Sequence, residues 1–170
     1  MKIRITEIPA GTLIKNYLPA DHTDTYVCES NKPVHATPDD IMIRLWSDFP
    51  AWLNILFRLR NFLVKFVGLK TEKKDTDEFE RLIRNGGELG FASVPEKNDK
   101  ETILLLKDKH LNAYLSVYVD NKQNSQDIYA ITLVHFHNRF GRVYFFFIRP
   151  FHDIIVKSIL RRTVKSLISS

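Results

Sequence analysis

Two hydrophobic periods divide this chain. Between Thr37 and Asn85, and again after Pro150, apolar residues recur at three- and four-residue steps. From Glu88 they recur at every second residue, up to the continuous apolar run Val143–Ile148. The first spacing lays apolar side chains along one helical face, and the second lays them on one side of a strand. The C-terminal stretch Pro150–Leu167 carries the clearest helical stripe: Ile155, Val156, Ile159, Leu160, Thr163 and Leu167 share a face, with Lys157, Arg161, Arg162 and Lys165 opposite. Pro150 suits the first position of that helix, and the late basic residues suit its C-terminal dipole.

The order of elements follows. Residues 1–23 read as an N-terminal arm or edge strand, with Ile3 and Ile5 alternating with Arg4 and Thr6. Thr25–Cys28 reads as a strand, broken at Asn31-Lys32-Pro33. Thr37-Pro38-Asp39-Asp40 is a strong helix start, with a capping hydroxyl, a proline at the first position and two acids in the first turn. Ile41, Leu45 and Trp46 form the apolar side of that helix. Asp48-Phe49-Pro50 ends it and opens a second helix, striped by Trp52, Leu56, Leu59, Phe62, Leu63 and Phe66 and closed by Gly68. Glu78–Arg84 makes a further turn or two, with Phe79, Leu82 and Ile83 inward.

Strands are predicted at Leu89–Val94, Thr102–Leu106, Leu111–Asp120, Ile128–His137 and Arg142–Ile148, joined by polar turns. The last turn is read as Asn138-Arg139-Phe140-Gly141. The whole is an α+β arrangement in one domain spanning 1–170: a curved antiparallel sheet wrapped around a long C-terminal helix, with two consecutive helices after the first strand.

If Asn138–Gly141 closes a hairpin, His137 opposes Arg142 and His135 opposes Tyr144. Ala130, Thr132, Val134, Phe136, Val143, Phe145 and Phe147 then share the face beneath the helix. The expected cavity wall is Leu115, Val117, Thr132, Val134, Phe136, Phe145, Phe147, Ile155 and Ile159. The alternative is a solid core packed to ordinary density. The opposite face is also partly apolar, so either the N-terminal segment or a second copy of the chain is expected to cover it, unless these are scattered surface hydrophobes.

Composition narrows the function. The 12 Phe residues fit a bulky core or an aromatic-walled cavity. A net charge of +5 with no basic stripe interleaved with stacking aromatics does not suit a nucleic-acid module. Cys28 is the sole cysteine, so no internal disulfide forms. No apolar leader and no run long enough to span a bilayer is seen, and the expected location is the cytoplasm.

His135-x-His137 has chelating spacing but no third ligand at diagnostic distance, so no metal or cofactor is expected. His152, one turn into the predicted helix, is a candidate general acid or base with Tyr114 or Tyr118 as its partner; its bland reading is local packing. No Ser-His-Asp or Cys-His order stands out.

Two stretches carry a family likeness. One runs from Trp52-Leu53 through Leu59-Arg60-Asn61 to Gly68-Leu69-Lys70. The other is Phe136-His137-Asn138-Arg139-Phe140-Gly141-Arg142-Val143-Tyr144, continuing through Ile148-Arg149-Pro150-Phe151-His152. Together with the order of elements from about Asp24 onward, they resemble the helix-grip, or START-like, superfamily of lipid-transfer domains, polyketide cyclases and pollen allergens. More narrowly they are similar to a bacterial family of unassigned function within it. The resemblance implies the fold and a cavity between sheet and helix, and no particular reaction. The leading expectation is non-catalytic binding of an apolar or aromatic, lipid-like small molecule. The alternatives are a cyclase- or hydratase-type enzyme using a His/Tyr pair in that cavity, and a homo-oligomeric interaction module, a homodimer being the simplest.

Overall fold

The computed structural model of the chain describes residues 2–30, 36–47, 76–123 and 125–168. The predicted second helix, with its Trp52–Phe66 stripe, lies outside the described residues, as does the first of the two stretches that carry the resemblance.

Local chemistry fixes the first helix as expected. Helix α1 runs Pro38–Ser47. The Thr37 hydroxyl accepts the Asp40 N–H, and the Asp40 carboxylate accepts the Thr37 N–H in return. This reciprocal cap satisfies two otherwise orphaned donors. Helix α2, Thr76–Asn85, buries Phe79, Leu82 and Ile83, the side predicted from spacing. Phe79 stacks on Trp46 of α1 at 4.7 Å. Lys97 ties the two helices together: its ammonium binds Asp39 in the first turn of α1 and the Ile83 and Arg84 carbonyls at the end of α2.

Among the described residues there are seven strands, in chain order β1 Lys2–Ile5, β2 His22–Ser30, β3 Gly87–Leu89, β4 Ala92–Val94, β5 Glu101–Lys107, β6 Leu111–Asn121 and β7 Gln126–Phe136. They form one open antiparallel sheet in the order β1-β2-β7-β6-β5-β4-β3. The single strand predicted over Leu89–Val94 is instead a tight hairpin, turned at Gly90 with φ of 53°. A positive φ there is inexpensive only for glycine.

The larger correction is at the C-terminus. Helix α3 spans Arg139–Ile168, absorbing both the predicted last strand and the turn before it. The expected pairs His137–Arg142 and His135–Tyr144 do not exist; β7 pairs with β6 and β2, and His135 lies opposite Asn112. Asn138 is the cap of this helix, its Oδ1 accepting the Gly141 N–H at 3.0 Å. Pro150, read as a first helical residue, sits inside the helix on its exposed side. It withholds one N–H from the Phe146 carbonyl, which water can reach there.

The helix-facing surface of the sheet, with Tyr26, Cys28, Leu104, Val117, Val119 and Ile128, packs against α1, α2 and the Leu160–Val164 turn of α3. The parity assigned to β7 from its sequence holds, with Ala130 on this side and Ile131 and Leu133 on the other. That other face is covered by the chain's own N-terminal segment. Ile8, Leu13, Ile14 and Tyr17 pack over Ile103, Ile131 and Leu133. No second chain is needed to bury it. A buried carboxylate, Glu101, pins the cover by accepting the Leu13 and Ile14 N–H groups at the start of a 3₁₀ turn, and the Ser116 hydroxyl.

Candidate functional site

Alternation along β2 places His22, Asp24 and Tyr26 on one side of the strand. The upstream half of α3 lies against that side. Phe145 packs on the His22 ring at 4.7 Å, His152 meets Asp24, and Asp153 meets Tyr26. Eight helical residues rise about 12 Å and four strand residues about 13 Å. Helix and strand therefore run side by side in one direction, and a strand spacing of two or four meets a helical spacing of seven or eight.

One carboxylate organises the site. Asp24 Oδ2 lies 2.6 Å from His22 Nε2 and 3.2 Å from His152 Nδ1. The first contact is a short hydrogen bond. The second is off the hydrogen-bond axis and leaves the buried Nδ1 without a well-aligned partner. The three side chains are 12, 14 and 18% exposed. Burial pushes the Asp24 carboxyl up, but the contacts with His152 and then His22 outweigh it and hold the group below the usual carboxylate range. At the next residue of the helix, the Tyr26 hydroxyl donates to Asp153 Oδ1 at 2.6 Å. Burial, then that bond to an anion, raises the phenol far above its ordinary value. Phe145 also faces His152 and touches Phe136, giving the polar group an aromatic flank.

Chemically this is an acid–base cluster. Two imidazoles share one ionised carboxylate, which orients both rings. Asp24, His152 and Asp153 also bring donor atoms within 4.8 Å of one another, a His-and-carboxylate set that suits a divalent cation.

The sequence profile of a family described as "Protein of unknown function (DUF2867)" matches residues 17–159, most of the chain. The chain belongs to this family. No curated protein and no solved structure matches it.

In this DUF2867 chain the predicted site residues separate into three groups. Leu115, Val117, Thr132 and Val134 do share the helix side of the sheet, and Ile159 is buried. Phe136 and Phe145 meet at 5.5 Å, though as strand and helix residues rather than cross-strand neighbours. Ile155 is partly buried on α3. Phe147 is no part of a wall: it is 64% exposed on the outer side of the helix. Among the catalytic candidates, His152 is in the cluster. Tyr114 and Tyr118 pack on the opposite face of the sheet, among Ile103, Ile131 and Leu133, and the sheet stands between them and His152. The tyrosine beside His152 is Tyr26. His135 packs edge-on to Tyr114 on that far face, away from the metal-capable group.

His22, Asp24 and Tyr26 escaped the sequence reading. The stretch His22-Thr23-Asp24-Thr25-Tyr26 is polar throughout, so no alternation marks their face, and it precedes and overlaps the start of the strand read at Thr25–Cys28. Nothing local ties them to His152, 128 residues after Asp24 in the chain.

Proposed function

We propose that the chain is a helix-grip protein of the START-like kind, which binds a small apolar or aromatic molecule at the seam between α3 and the β2–β7 pair. The His22–Asp24–His152 group holds the molecule's polar end. The observation that carries this reading is the partly buried carboxylate shared by two imidazoles and flanked by Phe136 and Phe145. Apolar walls with a few convergent polar groups are what a small-molecule site requires. Supporting it, α3 packs unevenly. From Arg139 to Ser158 only Gly141 and Phe145 are fully buried, whereas Ile159, Leu160, Thr163 and Val164 all are. The second half is fastened to the core, and the first half, over the cluster, is held lightly. Affinity comes from apolar burial at about 25 cal/mol per Å², and orientation from the imidazoles.

The test is solvent extraction of freshly purified protein followed by mass spectrometry. A compound recovered near one per chain, and displaced in the Asp24→Asn variant, is the expected result. An empty extract counts against the reading.

A second reading, acid–base turnover of the cyclase or hydratase type, is favoured by the orientation of His152. With Nδ1 toward Asp24, Nε2 faces away from the carboxylate and becomes the proton-exchanging atom, with Tyr26 as the nearby phenol. The extracted compound returned to stripped protein distinguishes the two. Chemical change that disappears in His152→Gln supports turnover, and unchanged recovery supports binding alone.

A further inference from the structure

Helix α3 turns outward a set of apolar residues that the core formed by the described residues does not use. Val143, Phe146, Phe147, Phe151 and Ile154 are 56, 72, 64, 45 and 59% exposed. At 100° per residue they span an arc of about 140°, opposite Gly141, Phe145 and His152, which face the sheet. Phe146 and Phe147 are the most exposed large apolar residues of the helix, side by side at its outer surface.

The charge of the same helix is one-sided. It carries seven Lys and Arg and a single acid, Asp153, whose carboxylate is engaged by Tyr26. That is a formal +6 on one helix, more than the +5 of the entire chain. Arg139 stands exposed at the start of the apolar face, and Arg161 continues its line beyond Ile154.

We propose that this outer face of α3 is a docking surface for an anionic phospholipid bilayer. The helix lies in the headgroup plane, with its phenylalanines at the acyl boundary and its arginines on lipid phosphates. Exposed aromatics flanked by cations are the composition of an interfacial helix. Self-association through this face is disfavoured, because two copies would bring their arginines together. Spanning is a different mode, and no described helix is long and apolar enough for it.

The experiment is flotation of the full chain with vesicles of phosphatidylcholine, with and without phosphatidylglycerol. Binding is expected only with the anionic lipid and is lost at high salt. Arg139→Gln with Arg161→Gln weakens it roughly thirtyfold, from about 1 kcal/mol per cation near such a surface. Phe146→Ser with Phe147→Ser abolishes it, and both positions are exposed enough to leave the fold intact.

A Phe147→Cys chain carrying an environment-sensitive dye reports the contact directly. Cys28 is buried, and its thiol is pushed up to about 11 by that burial, so the label goes to position 147. A blue shift on adding anionic vesicles is expected. The proposal is overturned by no binding, by equal binding to neutral vesicles, or by binding without the shift. It is also overturned by a dye already shielded in the free protein, or by a dimer in sedimentation that Phe146→Ser dissolves.

Discussion

Gly141→Ala puts the helical assignment of the C-terminal region at risk. A Cβ at position 141 would lie 2.2 Å from the His110 carbonyl oxygen and 2.9 Å from its carbon, both backbone atoms of the β5–β6 turn. In an exposed helix the change would stabilise by up to about 1 kcal/mol. Here the first turn of α3 must withdraw by about 1 Å to restore contact distance, which typically costs about 1–3 kcal/mol as overpacking. The His110 oxygen also accepts the His137 N–H at 2.9 Å, just before the Asn138 cap. Loosening that bond adds about 1 kcal/mol. The net is a loss of about 1–3 kcal/mol. That lowers the thermal midpoint by roughly 3–10 °C for a chain of this size, read by circular dichroism in parallel with urea titration. Asn138→Ala, which removes only the cap, should cost about 1 kcal/mol. If Gly141→Ala raised the midpoint, α3 could not approach the β5–β6 turn as described, and the seating of Phe145 and His152 would be wrong.

Other expectations concern single groups. The Asp24 carboxyl titrates below its unfolded value, so its contribution to stability is full above about pH 4 and is lost as pH falls through the lower folded value. Asp24→Asn should therefore cost about 2 kcal/mol at neutral pH, and its difference from wild type should shrink in acid; a constant difference down to pH 2 would contradict this assignment. Glu101→Ala strands three donors, at Leu13, Ile14 and Ser116, and should cost about 2–4 kcal/mol. Hydrogen exchange over residues 8–20 should accelerate with it, and unchanged protection there would show that the N-terminal cover does not depend on the carboxylate. Cys28 should resist a thiol reagent until the protein unfolds, because burial raises its thiol to about 11; rapid labelling of native protein would contradict the packing of β2.

What was readable in the sequence follows the strength of local signals. The Thr37–Asp40 start and the inward Phe79, Leu82 and Ile83 each combine a period with a cap or a break, and both helices form where that combination lies. Val143–Ile148 has no period at all. Six consecutive apolar residues fit a buried strand or a helix equally. Asn138-x-x-Gly141 is ambiguous in the same way, since asparagine serves a turn and a helix cap by the same side-chain acceptor. The decisive contact, Gly141 against His110, is tertiary. The outward Phe146 and Phe147 also offered no warning, because a run of phenylalanine reads as interior. Within the candidate site, His152 was legible from its place on the last helix. Its partners on β2 were not, because they are joined to it only by the pairing of β2 with β7 and the lie of α3 along β2.

The most direct measurement of the central claim is native mass spectrometry of the freshly purified 19.9 kDa chain beside its Asp24→Asn variant. An adduct of small-molecule mass on wild type, lost when Asp24 no longer holds the two imidazoles, is the predicted result. A bare chain in both samples, or an adduct indifferent to Asp24, would contradict a ligand seated at the β2–α3 seam.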